Sequence, residues 1–241
     1  MNRIYIPVGG RLGNQLFYYG FGRWLQIKYF PDHVLCFDFS HVYKQGSHYQ
    51  YDPKYWQNSL DLFRTSQFEV YSKDFVVYRE GAAFQKILAA LIKKLKNNRN
   101  LSDHEIELFS KIGLVYNCRP GLENVYSFDK TYRKDIFVRG VLESDYYLNQ
   151  IRKELLEEIV PKEERKIENI KLYDIIENSE SVCVSVRRGD YVTNPELNYR
   201  NICNKDYFNK AISKITRILN DPVIIFSRTT LHGVEKTLME N

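Results

Sequence analysis

The chain has few cysteines and no Cys-x-x-Cys pair. Cys36, Cys118, Cys183 and Cys203 are scattered over 241 residues with no histidine at ligand spacing, which argues against a zinc site and gives no disulfide framework. No apolar run approaches the roughly 20 residues that span a bilayer. The start, Met1-Asn2-Arg3-Ile4-Tyr5-Ile6-Pro7-Val8, lacks the long apolar core and small-residue cleavage site of a secretory signal. Together these absences point to a reducing, cytoplasmic setting. The glycines form neither G-x-G-x-x-G nor a Walker loop closed by Lys and Ser/Thr, so the dinucleotide fingerprint and the P-loop both fail on their own motifs. No internal repeat or low-complexity tract is found, which removes solenoid architectures.

What is present reads as a globular protein of one large domain or two small ones, 44% hydrophobic and 27% charged. The net charge of +5 favours anionic partners such as nucleotide phosphates or acidic lipid, and is too mild to argue for nucleic acid. Aromatic residues make up 15% of the chain, and their flat faces suit sugar rings as well as cores.

Residues 4–8 read as a short buried strand. Gly9-Gly10-Arg11-Leu12-Gly13-Asn14-Gln15 follows as a glycine-punctuated turn before a helix over residues 16–28, and residues 34–39 read as a second strand, completing a β-α-β unit. The turn offers free backbone N–H groups at a helix start, with Arg11, Asn14 and Gln15 beside them; a tight turn with a capping asparagine explains the glycines equally. Residues 41–63 read as loops and short helices, with His41 and His48 as solvated histidines. Residues 84–99 read as an amphipathic helix, with Ile87, Leu88, Leu91, Ile92 and Leu95 on one face and Lys86, Lys93, Lys94 and Lys96 flanking it. It suits a core-facing helix with a solvated lysine side, or peripheral contact with anionic membrane. Ser102-Asp103-His104-Glu105 reads as a helix cap. Residues 136–142 read as a strand and residues 145–160 as one helix. The charged run Pro161-Lys162-Glu163-Glu164-Arg165-Lys166 marks a domain boundary, giving domains 1–160 and 161–241. In the second, a short helix at 170–176 precedes a strand. A helix at 206–219 with Tyr207, Ala211, Ile212, Ile215 and Ile218 inward, a strand at 223–226 and a final helix at 231–239 complete a β-α-β-α run.

The strand that matters most is Val182-Cys183-Val184-Ser185-Val186, read as buried, running into Arg187-Arg188-Gly189-Asp190. Ligands of open α/β sheets bind at the carboxyl ends of strands. A guanidinium donates two parallel hydrogen bonds to phosphate oxygens and stays charged, and Asp190 can hold one of the two in place. The same four letters also suit a surface turn with its arginines paired to nearby carboxylates.

Two stretches in order carry a family resemblance. Gly9-Gly10-Arg11-Leu12-Gly13-Asn14-Gln15-Leu16-Phe17 resembles the G-G-x-G-N-Q-x-F signature of bacterial alpha-1,2-fucosyltransferases, glycosyltransferase family 11. Val186-Arg187-Arg188-Gly189-Asp190 is similar to that family's H-x-R-R-x-D motif. Residues 140–147 resemble its G-Y-x-Q-S-x-x-Y-F segment loosely, and Asp206-Tyr207-Phe208-Asn209-Lys210-Ala211 its D-Y-Y-x-x-A helix.

The resemblance implies an α/β, GT-B-like fold, with two Rossmann-like halves facing a cleft. The first half meets the acceptor glycan and the second holds the donor, GDP-fucose. It implies inverting, metal-independent transfer of fucose to the 2-hydroxyl of an acceptor sugar such as galactose, with an oligosaccharide or lipid-linked glycan as acceptor in surface-polysaccharide synthesis. Arg187 and Asp190 become the catalytic candidates; Arg11, Gly13, Asn14, Arg187, Arg188 and Ser227 become the donor-binding ones. No general base stands out. Ser185 occupies the place of the family's histidine, and Phe226-Ser227-Arg228-Thr229-Thr230 replaces Phe-Ser-Asp-Asp. An Asn-Ser-x-Phe-Ser-Trp-Trp segment is not found, so the second half is expected to be incomplete, with an inactive glycan- or partner-binding relative as the alternative to a working transferase.

Overall fold

The computed structural model describes residues 2–48, 56–71, 102–117, 126, 128, 134–187, 203–220, 222–230 and 233–238. The chain divides into two compact units, Met1–Glu163 and Glu164–Asn241. The amphipathic helix expected at 84–99 lies outside the described residues.

The first unit is built on a five-stranded, all-parallel sheet in the order β3-β2-β1-β5-β4, a Rossmann-like α/β arrangement. Its strands are β1 (Arg3–Pro7), β2 (Val34–Asp38), β3 (Phe68–Val70), β4 (Leu114–Asn117) and β5 (Ile136–Gly140). Side chains alternate across a strand, and here the alternation sorts residues into two cores. Ile4, Ile6, Leu35, Phe37, Val115, Ile136 and Val138 face one large cluster. Tyr5, Cys36, Leu114 and Phe137 face a smaller one. The ladder sets Tyr5 opposite both Cys36 and Phe137, and Leu114 opposite Phe137, so this second row is one line of in-register neighbours. The Tyr5 and Phe137 rings stack at 5.2 Å.

Helix α1 (Leu12–Lys28) covers the larger face. Its approach is close: a Cβ on Gly22 would lie 2.5 Å from Ile6 Cδ1, and one on Gly20 would lie 2.9 Å from Leu148 Cγ. The helix is thus held between the sheet and α4 (Asp145–Asn149). Helix α2 (Ser40–His48) follows β2, and α3 (Asp103–Lys111) precedes β4. The cap expected for α3 forms in full: Glu105 N donates to Ser102 Oγ at 3.3 Å and Ser102 N donates to Glu105 Oε2 at 2.9 Å.

The single helix expected over 145–160 is two, α4 and α5 (Arg152–Glu158). Tyr147, Ile151 and Leu155, spaced four apart, all enter the core across the break at Gln150 and Ile151, while Gln150 Oε1 accepts a bond from Trp24 Nε1 at 3.1 Å. Glu158 then ties α5 to α1: Arg23 grips its carboxylate with bonds of 2.5 and 2.9 Å, and Tyr19 OH donates to Oε2 at 2.5 Å. The Tyr19 hydroxyl also accepts from Ser66 N at 2.8 Å. Burial, with the carboxylate next, holds the Tyr19 phenol protonated well above its ordinary range.

The second unit contains α6 (Ile170–Asn178), β6 (Ser181–Arg187), α7 (Lys205–Leu219), β7 (Val223–Thr230) and β8 (Gly233–Leu238). β6 and β7 are parallel, and β8 runs antiparallel to β7. Three expectations need correction. The segment 231–239, read as a helix, contains β8. Gly233, Val234 and Thr237 are weak helix formers, and pairing along β7 from Thr230 to Ile225 satisfies backbone groups that an edge would leave open. β6 is half-covered rather than buried: Val182, Val184 and Val186 are partly buried, whereas Cys183 and Ser185 on the other face are exposed. The inward stripe of α7 is Phe208, Ile212, Ile215 and Leu219, with Ala211 exposed and Tyr207 and Ile218 turned outward at 55% and 64% exposure.

Burial pushes the Cys36 thiol up to about 12, with Glu69 adding to the shift. Above pH 9 the unfolded chain loses this proton while the folded chain keeps it. Stability therefore falls as pH rises towards 12, by up to about 1.4 kcal/mol per pH unit from this one group. Urea midpoints at pH 8, 9 and 10 should decline in that order. A thiol reagent at pH 8 should modify the exposed Cys183 and Cys203 while leaving Cys36 untouched until the chain unfolds.

Candidate functional site

In the order β3-β2-β1-β5-β4 the chain moves outward from β1 to β3, crosses to the far edge at β4 and returns to β5 beside β1. The loops leaving β1 and β5 therefore start side by side at the carboxyl ends of adjacent parallel strands, which is where open α/β sheets bind ligands.

The β1 loop is shaped by Gly10, whose φ of +71° suits glycine and whose added Cβ would fall 2.8 Å from Asn14 Cγ. Helix α1 begins at Leu12, earlier than the sequence suggests, so Gly13, Asn14 and Gln15 belong to its first turn rather than to a loop. Gln15 is fully buried and commits its amide to backbone: Nε2 donates to Gly10 O at 3.1 Å and Gln57 O at 2.9 Å, and Oε1 accepts from Ser59 N at 2.8 Å. It staples the loop rather than facing a ligand. Asn14 points the other way, its Nδ2 donating to Glu143 Oε1 at 3.0 Å. No neighbour lies within 4 Å of a Cβ placed on Gly13, so packing within the described residues does not require a glycine there. Arg11, the extended residue that opens α1, carries its guanidinium 5.3 Å from the centre of the Trp56 ring, within cation–π range.

The β5 loop is shaped by Gly140, with φ of +110°. A Cβ there would lie 1.9 Å from the Asn117 carbonyl oxygen, the same oxygen that accepts from Val141 N at 2.9 Å. The chain then passes through Glu143 to Ser144 at the head of α4. Ser144 is 4% exposed, and its hydroxyl has no partner among the described residues. Tyr18 and His41 complete the surroundings: Tyr18 OH is 3.8 Å and His41 Cδ2 is 3.5 Å from a Cβ built on Gly9. Burial, and secondarily the Glu143 carboxylate, raises the Tyr18 phenol above its ordinary range.

Arg11, Gly13 and Asn14 thus share one helix start. Glu143, Tyr18, His41 and Trp56 gather around it, and sequence reasoning had assigned none of these four to the site. A signal for Glu143 was available, since it follows the glycine that ends a strand. His41 stands exposed on α2, close to Gly9, instead of in a remote polar loop.

In the second unit, Arg187 is the last residue of β6, paired in parallel with Thr229, and Ser227 pairs with Ser185. Arg188 and Asp190 lie outside the described residues. A shallow, largely apolar groove of about 540 Å³ lies in this unit against Val186, Phe208, Ile212 and Phe226. Among the described residues no three His, Cys, Asp or Glu side chains form a metal-binding group, and no helix is long and apolar enough to cross a membrane.

Because both the left-handed backbone and the Asn117 carbonyl forbid a side chain at Gly140, Gly140→Ala should destabilise the first unit by more than about 2 kcal/mol. Thermal unfolding followed by circular dichroism checks this; Gly13→Ala, with open space beside it, should unfold within about 0.5 kcal/mol of the parent.

No curated protein and no solved structure matches the chain. A family model does, and its match runs through both units and contains both arginine-bearing segments. Residues 4–238 fit the model of glycosyl transferase family 11, so the chain belongs to that family of fucosyltransferases, which act on a sugar donor and a glycan acceptor.

Proposed function

We propose that this chain transfers fucose from GDP-fucose to the 2-hydroxyl of an acceptor sugar, best represented by a terminal galactose, with inversion and without a metal. The observation that carries the reading is the family match over 4–238, which includes the β1–α1 segment with Arg11, Gly13 and Asn14 and the strand end at Arg187. In the transfer the acceptor oxygen attacks the anomeric carbon as the bond to the diphosphate breaks, and negative charge collects on the departing phosphate. A guanidinium already in place there stabilises the transition state more than the ground state. Arg187 takes that role in our reading because it closes a parallel strand at its carboxyl end. Arg188 is the second phosphate contact, Asp190 orients an arginine, and Ser227, one strand over, joins the donor side.

The reading divides the work in the GT-B manner, with the first unit meeting the acceptor and the second holding GDP-fucose. It also carries a cytoplasmic location for surface-polysaccharide assembly, with peripheral contact at the inner membrane face when the acceptor is lipid-linked.

Titration calorimetry tests the donor assignment. The parent chain should bind GDP, and Arg187→Ala should weaken that binding by about tenfold to a hundredfold, the range for a charge-assisted contact. Unchanged affinity in Arg187→Ala, or no GDP binding by a well-folded parent, overturns it. Transfer should persist in excess chelator.

A further inference from the structure

Glu143 is held in an unusual way for a surface carboxylate. Its loop is fixed at one end by Gly140, whose backbone no other residue can adopt without striking Asn117 O, and at the other by the start of α4. One oxygen, Oε1, is occupied by Asn14 Nδ2 at 3.0 Å. The other, Oε2, has no partner among the described residues, and no described lysine or arginine forms an ion pair with the carboxylate. The side chain is half-buried. Asn14 is fixed in turn, since it sits in the first turn of α1 against Gly10 and next to the buried staple Gln15. An amide that orients a carboxylate by one oxygen leaves the second aimed by the scaffold.

An ionised carboxylate only accepts hydrogen bonds. The Tyr18 hydroxyl is close enough to feel its charge. A ring carrying several hydroxyl donors satisfies such a group; a ring carrying its own carboxylate meets like charge. We propose that Glu143 is a specificity-determining residue for the acceptor, taking hydroxyl hydrogen bonds on Oε2 and selecting neutral sugars over acidic ones. This rests on the fucosyl-transfer reading above.

The informative variant is Glu143→Gln. Its carbonyl can keep the bond from Asn14 while the free arm becomes an N–H donor without charge, so the loop should fold as before; thermal unfolding and GDP binding at parent values confirm that it does. Initial rates with GDP-fucose are compared for methyl β-galactoside and its C6-oxidised uronate, which present the same 2-hydroxyl. The parent should favour the neutral acceptor by about tenfold or more in kcat/KM. In Glu143→Gln the KM for the neutral acceptor should rise about five- to tenfold, with kcat and the donor KM unchanged, and the preference should shrink to within about threefold. Glu143→Asp keeps the charge but shortens the reach, so KM should rise while the preference for the neutral sugar remains. Parent-like KM and preference in Glu143→Gln overturn the assignment. So does a fall in kcat at constant KM, which would put the carboxylate in the chemical step instead. Failure of the parent to transfer fucose to either acceptor sinks the transfer reading and this assignment with it, whereas normal transfer with an indifferent variant sinks the assignment alone.

Discussion

The first unit depends on β1 being buried on both faces between two parallel neighbours. Ile4 and Ile6 must lie against α1, and Tyr5 must lie in the row of Cys36, Leu114 and Phe137. A slip of one residue would exchange these sets, pressing a tyrosine ring under the closely packed helix and leaving both isoleucines on the wrong side. Each misplaced aliphatic side chain forfeits about 1.5–3 kcal/mol of burial, so the register is strongly determined. With it the point at which the chain leaves the sheet is determined too.

The turn after β1 inherits that certainty. Val8 N continues the ladder by donating to Asp38 O at 2.8 Å, and Gly10 then turns through a left-handed conformation to start α1. Gln15 secures the turn from below with three bonds to backbone. A buried amide left unpaired would cost about 1–3 kcal/mol, and here each of its polar atoms has a partner. Two adjacent residues thus divide the work: Gln15 holds the loop, and Asn14 is left to face Glu143.

The sequence made the strands legible where short apolar runs stand between polar or turn residues, as at β1, β2 and β5, and it made the α3 cap legible through Ser102 and Glu105. It also carried both arginine-bearing segments, because their letters are specific in order. It misread what long-range packing decides. The start of α1 falls four residues early because Gly13 is accommodated in a first turn supported by the Gln15 staple. The break before α5 falls where Gln150 is held by Trp24 Nε1, a contact between residues 126 positions apart that no local signal announces. β8 takes its form from an available neighbour, β7, along a segment whose Gly233, Val234 and Thr237 are weak helix formers. The facing of α7 was misjudged by one position because Phe208 displaced Tyr207 as the anchor of the stripe. Glu143 escaped attention for a related reason: its meeting with Asn14 joins residues 129 positions apart, a proximity created only when β5 is laid beside β1.

That meeting is weak in energy and strong in geometry. A half-exposed hydrogen bond between an amide and a carboxylate contributes about 1 kcal/mol net, far less than the aromatic packing of Phe21, Trp24 and Tyr147 behind it, whose rings lie within 4.6–5.4 Å of one another. The fold would survive its loss. The rigid parts, by contrast, hold the two loops so that the bond can form: Gly140 against Asn117 on one side, Gly10 and Gln15 on the other. Stability comes from the buried rings and the sheet, and the polar pair at the strand ends adds little to it. The same separation leaves Asn14 and Glu143 open to substitution without unfolding, while the scaffold beneath stays as it is.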